Sequence, residues 1–227
     1  MLFHSKASSS AGNLYTVSDG KTRILLECGL PFPKLQKALN FELSDYAACL
    51  VTHEHKDHCK AAAELLKRGI AVWCPAATAA ALGIEAEARA VIPGQMFHVD
   101  SLAVLPFECK HDAPCVGYLI HSAETRETLV YATDTMYLPN RFAGLTEIAV
   151  ECNHSRESLL ACDLDEGTKQ RIMENHMSLD TFIGFLQAND LSRVEKIWLL
   201  HMSDARGDAE GFRRAIQEET GIPTEVC

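Results

Sequence analysis

Apolar residues fall along this chain in short runs, divided by turn residues and by segments of helical spacing. Leu14–Val17, Thr22–Cys28 and Ala47–Thr52 are apolar or β-rich and separated by turns such as Asp19-Gly20, which predicts strands. Lys60–Arg68 carries Ala62 and Leu66 on one face and stops at Gly69, the pattern of a helix. Ile70–Cys74 reads as a buried strand, and Pro75–Leu82 as an alanine-rich helix with Pro in its first turn and Gly83 at its end. The middle is β-rich, over Met96–Val99, Leu102–Cys109, Val116–His121, Thr128–Thr133 and Leu145–Glu151. Helical segments follow around Arg156–Ala161 and Glu166–Glu174. Ser178 then caps a helix through Asn189 whose apolar face is Leu179, Phe182, Ile183 and Leu186. Lys196–His201 is an apolar strand, and Asp208–Thr220 a last helix ended by Gly221 and Pro223. Two β-rich stretches, each followed by helices, predict an α/β sandwich of two mixed sheets packed face to face with helices outside.

No repeat or linker divides the sequence, so a single domain over residues 1–227 is expected, with a well-buried core. No apolar run reaches the roughly 20 residues of a membrane span. Residues 1–12 contain no apolar segment of the secretory kind, so a cytoplasmic address is expected. Nine cysteines are scattered without a Cys-x-x-Cys pair, and several lie inside apolar stretches as small buried hydrophobes. The net charge of −10 counts against tight nonspecific binding of nucleic acid. A local basic patch or bound metal ions can still hold a phosphate.

The densest chemistry lies in Thr52-His53-Glu54-His55-Lys56-Asp57-His58, where three of the ten histidines fall between positions 53 and 58. A strand end followed by a tight loop lets such side chains converge on one point. Histidine and carboxylate together suit zinc, manganese or iron rather than calcium. His4, His98 and His121 stand alone and read as surface or core residues. Cys59, just after this loop, reads as packing beneath the following helix.

The His-x-His-x-Asp-His run resembles the signature of the metallo-β-lactamase superfamily, and later elements follow in that family's order. His111 lies in Cys109-Lys110-His111-Asp112-Ala113, Asp134 in Tyr131-Ala132-Thr133-Asp134-Thr135, and His201 in Trp198-Leu199-Leu200-His201-Met202-Ser203. The resemblance implies the αββα fold and two divalent transition-metal ions, Zn or Mn, with Fe a further choice. It places His53, His55 and His111 on one ion, Asp57, His58 and His201 on the other, and Asp134 between them. It further implies a metal-bridged hydroxide as nucleophile, and Glu151 is a candidate to orient an imidazole from behind. Asn175-His176-Met177-Ser178, followed by a helix and Leu200-His201-Met202-Ser203, is similar to the phosphodiesterase branch, which includes transfer-RNA 3′-processing endonucleases. Ser9-Ser10-Ala11-Gly12-Asn13 and Glu151-Cys152-Asn153-His154 are similar to elements of the YycJ/WalJ group, regarded as DNA exonucleases.

Two functions follow. One is a phosphodiesterase acting on nucleic acid or nucleotides, with Asp57 and His176 as catalytic residues and His154 as a contact to substrate phosphate. In that reading His176 is a general acid, and Asp57, through its second oxygen, is the carboxylate expected to orient it. The other is a small-molecule hydrolase acting on a thioester, lactone or lactam, which the acidic balance favours because polyanions are repelled at long range. No membrane partner is expected, and oligomeric state is left open.

Overall fold

The computed structural model describes residues 1–203 and 208–227. In chain order the strands are β1 (Leu2–Ala7), β2 (Leu14–Ser18), β3 (Arg23–Leu26), β4 (Ala48–Leu50), β5 (Ala71–Pro75) and β6 (Arg89–Val91), then β7 (Phe97–Val99), β8 (Leu102–Cys109), β9 (Cys115–Ser122), β10 (Thr128–Ala132), β11 (Glu147–Glu151), β12 (Lys196–Leu200) and β13 (Thr224–Val226). The helices are α1 (Phe32–Ala38), α2 (Lys56–Cys59), α3 (Ala62–Lys67), α4 (Ala76–Leu82), α5 (Arg156–Ala161), α6 (Glu166–Asn175), α7 (Leu179–Ala188) and α8 (Ala209–Thr220).

The first sheet has six strands in the order β1-β2-β3-β4-β5-β6, and the second has seven in the order β13-β12-β11-β10-β9-β8-β7. Both are mixed. In the first, β1 to β3 pair antiparallel and β3 to β6 parallel. In the second, β7 to β10 pair antiparallel and β10 to β13 parallel. The expected sandwich of two mixed sheets with helices outside is therefore the observed one.

Period-two alternation explains why the strands read as continuous apolar runs. On β10, Leu129 and Tyr131 join the core between the sheets, while Val130 and Ala132 face the outer helices. On β3, Ile24 and Leu26 point inward, and Leu25 meets Leu35 of α1 and Leu65 of α3 on the other side. Strands covered on both faces have no solvated side and show no polar alternation. On the second sheet's outer face the cover is α7 and α8, through Phe182, Phe185, Leu186, Phe212 and Ile216. Ser178 caps α7 by accepting from the Thr181 amide, as its position in sequence predicted.

Asp19 ties the sheets together at the end away from the histidines. One carboxylate oxygen accepts the turn amides of Lys21 and Thr22, and the other accepts the hydroxyls of Ser101 and Ser122 at the β8–β9 end. Burial opposes its charge, yet those donors prevail and hold its pKa down to about 2.

The helix expected to begin at Lys60 begins earlier. The chain turns helical at Lys56, making α2, breaks at Lys60 and Ala61, and resumes as α3. Asp57 and His58 thus sit on a short helical turn rather than on a loop. No helix among the described residues is long and apolar enough to cross a membrane.

Candidate metal centre

Every histidine and aspartate singled out for metal binding lies at one end of the sandwich. His53 and His55 follow β4, Asp57 and His58 sit on α2, and His111 occupies the β8–β9 connection. Asp134 follows β10, and His201 follows β12. Strands of both sheets therefore deliver their C-terminal ends to one place.

The metal loop is anchored by backbone pairing. Asp57 C=O accepts the Asn13 amide at 2.7 Å, and His58 C=O accepts the Cys28 amide at 2.7 Å. Gly29 makes this close approach feasible, because a Cβ there would lie 1.6 Å from the Asp57 carbonyl oxygen. The Cys59 thiol donates to the Glu54 and His55 carbonyls at 3.1 Å each, so its role is the packing one.

Among the described residues three groups of possible ligand atoms emerge: His53, His55 and His111 with Asp134; Asp57 and His58 with His201; and Asp134, Glu151 and His176 with His201. His55 Nδ1 and His111 Nε2 are 3.3 Å apart, and His53 Nε2 and His111 Nε2 lie 3.7 and 3.9 Å from Asp134 Oδ2. In the second set His58 Nε2 is 3.3 Å from Asp57 Oδ2 and 3.4 Å from Asp134 Oδ2, and His201 Nε2 is 3.7 Å from Asp57 Oδ2. Ligand bonds of ~2.0–2.2 Å around a tetrahedral ion place neighbouring ligand atoms ~3.4 Å apart. The observed separations match that spacing better than the spacing of hydrogen bonds. Asp134 Oδ2 lies within 3.9 Å of an imidazole in each of the first two groups.

The structure offers an independent test of fit. His53 Nε2 and His201 Nε2 are buried with no hydrogen-bond partner among the described residues. Leaving a buried imidazole nitrogen unsatisfied is costly. A cation at each cluster would satisfy both, so the donor set fits two ions. Zinc-type ions need neutral imidazoles. Burial, with the charge of His58 beside it, holds His53 well below its ordinary pKa. His58 and His201 behave otherwise. Burial disfavours their charge, but Asp134 leads the carboxylates that override it, raising His58 well above the ordinary value and His201 to about 10. Metal ions and protons therefore compete for these two rings.

Backbone strain marks the same residues. Asp134 has φ +50° and His201 has φ +49°, left-handed conformations that cost a non-glycine residue energy. The Thr133 hydroxyl donates to Asp134 Oδ1. At His201 the amide donates to Ser8 Oγ and the carbonyl accepts from Asn153 Nδ2, each at 2.8 Å. Those contacts explain the sequence elements around Ser8–Asn13 and Glu151–His154: they clamp the late histidine. Asn13 Nδ2 also reaches His58 Nε2 at 3.2 Å.

His176 sits at the C-terminal end of α6, beside the metal clusters. Its Nδ1 is 2.5 Å from Glu151 Oε1, so Glu151, not the expected Asp57, orients the ring. Glu151 is fully buried and also lies 3.3 Å from His201 Nδ1. Burial opposes charge on His176, and Glu151 outweighs it and raises the imidazole pKa above the ordinary value. His154 is 2% exposed and pairs through its backbone with Ser178, away from both clusters.

Sequence reasoning missed two contributors. Glu27, fully buried with φ +63°, stands 3.5 Å behind His58 Nδ1 and accepts from the Thr52 amide and the Tyr131 hydroxyl. Its one signal was a charge ending the apolar run Ile24-Leu25-Leu26. Asp112 lies 3.2 Å from His111 Nε2 and 3.2 Å from the Arg171 guanidinium. Glu27→Gln keeps the shape but loses the charge that fixes the His58 ring. It should weaken metal affinity about 10–100-fold, the usual cost of removing an outer partner, as read by competition with a chelator.

The clusters open into a cleft of about 320 Å³ lined by Asp57, His111, Asp134, Arg171, His176 and His201, among others. A larger groove of about 550 Å³ between α3 and α4 carries none of these residues, and the chemistry places the active site in the smaller cleft. The model of the β-lactamase superfamily domain matches residues 22–202, which span the clusters from Glu27 to His201.

The chain belongs to the metallo-β-lactamase superfamily.

Among relatives in this superfamily, exodeoxyribonuclease WalJ of Streptococcus pneumoniae serotype 2 is 26% identical over 215 residues, covering 87% of this chain and 80% of that protein. The metallo-β-lactamase fold protein YhfI from Bacillus subtilis superposes with a TM-score of 0.75 at 15% identity, covering 99% of this chain and 95% of that one. Human tRNase Z, short form, superposes with a TM-score of 0.66 at 12% identity, covering 99% and 95%. The metallo-β-lactamase fold, with its histidine–aspartate metal site, makes this chain a metal-dependent hydrolase.

Proposed function

We propose that residues 1–227 form one hydrolase domain that cleaves phosphodiester bonds in nucleic acid, in the manner of an exodeoxyribonuclease. The observation that carries this reading is the His176–Glu151 pair, 2.5 Å apart at the wall of the metal cleft. A phosphodiester releases a sugar alkoxide, a poor leaving group that needs a proton. Glu151 favours the protonated imidazole and fixes its Nδ1, leaving Nε2 toward the cleft. A thioester releases a thiolate, which departs without such help. The relative WalJ, an exodeoxyribonuclease, points the same way.

In this reading His53, His55 and His111 would hold one ion, and Asp57, His58 and His201 the other, with Asp134 on both. Zinc or manganese suits this donor set, and iron is the next choice. When bound, two such ions supply an activated water and offset negative charge on the phosphate oxygens. The protein's own part is to hold these side chains in place from behind. Glu27 backs His58, Glu151 backs His201, and Ser8 and Asn153 fix the strained His201 backbone. Asp57, whose carboxyl is held well below its ordinary pKa by His201 and His58 despite burial, stays ionised in the cleft. His154, which is buried, borders a neighbouring cleft, and in this reading its role is at that cleft's wall.

The acidic balance of the chain favours the second reading, a small-molecule thioester, lactone or lactam. A panel of metal-loaded assays separates the two. Bis(p-nitrophenyl) phosphate and end-labelled single-stranded DNA should be hydrolysed, while a thioester and a chromogenic cephalosporin should be left intact. Turnover of the thioester or cephalosporin with none of the phosphodiesters would reverse the assignment.

A further inference from the structure

Two clefts meet at His176. The first is the metal cleft. The second, about 370 Å³, is bordered by Met136, His154, Arg156, Met173 and Ser178, and shares His176 with the first. Each cleft has one arginine and no other lysine or arginine among its described lining residues: Arg171 beside the metals and Arg156 beyond His176. The two arginines differ in their partners. Arg171 is held by Asp112 at 3.2 Å, whereas Arg156 is exposed and makes no ion pair with any described residue. Among the described lining residues, Asp180 is the one acidic side chain at the second cleft, against Asp57, Asp112 and Asp134 at the first.

In a chain of net charge −10, attraction for a polyanion has to be local, and these two guanidiniums lie on either side of the proposed proton donor. Guanidinium is the side chain best matched to a phosphate's paired oxygens. Met136 and Met173 add a soft apolar surface to the second cleft, and Met173 is 41% exposed. Polarizable thioethers of this kind contact aromatic faces favourably.

We propose that the second cleft is the subsite for the nucleotide next to the bond being cut, with Arg156 on its phosphate and Met136 and Met173 against its base. The substrate is then a phosphodiester strand carrying at least two successive phosphates. A mononucleotide ester with a single phosphate fills only the metal cleft. This assignment rests on the phosphodiesterase reading above and specifies which substrates that site prefers.

The test compares metal-loaded full-length protein on two short strands, thymidine dinucleotide with one phosphate and thymidine trinucleotide with two, both as phosphorothioates that resist cleavage. Binding is read by competition against a fluorescent single-stranded oligonucleotide. The trinucleotide should bind about tenfold tighter than the dinucleotide, the scale of one exposed charge-assisted contact. In Arg156→Ala that gain should vanish, and in Arg156→Lys much of it should return. The dependence of log Kd on log salt for the trinucleotide should flatten by about 0.7, the share of one phosphate contact on a single strand. Arg213→Ala, a change on α8 where Arg213 is engaged with Glu210, should alter neither quantity.

An Arg156→Ala protein that keeps both the tenfold gain and the salt slope would overturn the subsite. Wild-type protein that hydrolyses bis(p-nitrophenyl) phosphate but binds both strands equally would also overturn it, while sparing the phosphodiesterase reading. Wild-type protein that hydrolyses no phosphodiester would remove that reading and the subsite together.

Discussion

Asp134→Asn should strip the protein of most of its second metal ion and nearly all of its turnover. Asp134 is 3% exposed, and among the described residues its Oδ2 is the one oxygen within reach of both proposed ligand sets. Four imidazoles, from His53, His58, His111 and His201, stand within 3.9 Å of its oxygens. An amide keeps the volume but removes the negative charge that lets two cations sit close together. Breaking a buried charge pair costs about 3–5 kcal/mol. At about 1.4 kcal/mol per decade, metal affinity should fall by roughly two to three and a half orders of magnitude. Elemental analysis after dialysis against a weak chelator reads this directly. Near-normal metal content and turnover in Asp134→Asn would remove the bridging role.

His176→Ala should show the opposite separation, with metal retained and chemistry lost. The ring lines the cleft but is held by Glu151 rather than placed within either proposed ligand set. Turnover on DNA should drop roughly 10²–10⁴-fold, the range for a lost general acid. On p-nitrophenyl esters the drop should be much smaller, because p-nitrophenolate leaves without a proton. The pH profile supplies a second readout. A general acid works while protonated, so its contribution is present at low pH and lost as pH rises through its pKa. Glu151 raises that pKa, so Glu151→Gln should shift the basic limb of kcat to lower pH. Equal losses on both substrate classes would exclude proton donation, and loss of metal would make His176 a ligand.

The fold was readable where burial is two-sided. β8 to β12 are apolar or flanked by clear turns, and their predicted spans overlap the observed ones closely. The elements that went unread are edges and short connections. β1 buries Phe3 but exposes Leu2 and His4, and an edge strand with one covered face has too few apolar positions to stand out. β6 and β13 are three residues each at sheet edges, and each has a single buried residue. α1 starts between Pro31 and Pro33, which reads as a turn until Leu35 is seen packed in the core.

The site divides in the same way. His53, His55, Asp57 and His58 are dense in sequence and need no fold to be noticed. His111, Asp134 and His201 were reached only through their order along the chain, because each stands at the end of a different strand. Glu27 and Asp112 act through neighbours that are remote in sequence or hidden by strand context. Glu27 meets His58 and Tyr131 from inside an apolar run, and Asp112 meets Arg171 across the cleft. The Glu151–His176 contact joins residues 25 apart in sequence, and only the parallel neighbours β11 and β12 with α6 bring the pair beside His201.

The central claim is that turnover depends on two cations held by this one constellation. Metal-stripped protein titrated with Mn²⁺ or Zn²⁺ tests it, with bound metal and hydrolysis of bis(p-nitrophenyl) phosphate measured on the same samples. Turnover should be absent at the start and level off as bound metal approaches about two ions per chain. Full turnover in the metal-free protein, or a plateau reached with almost no metal bound, would contradict the account.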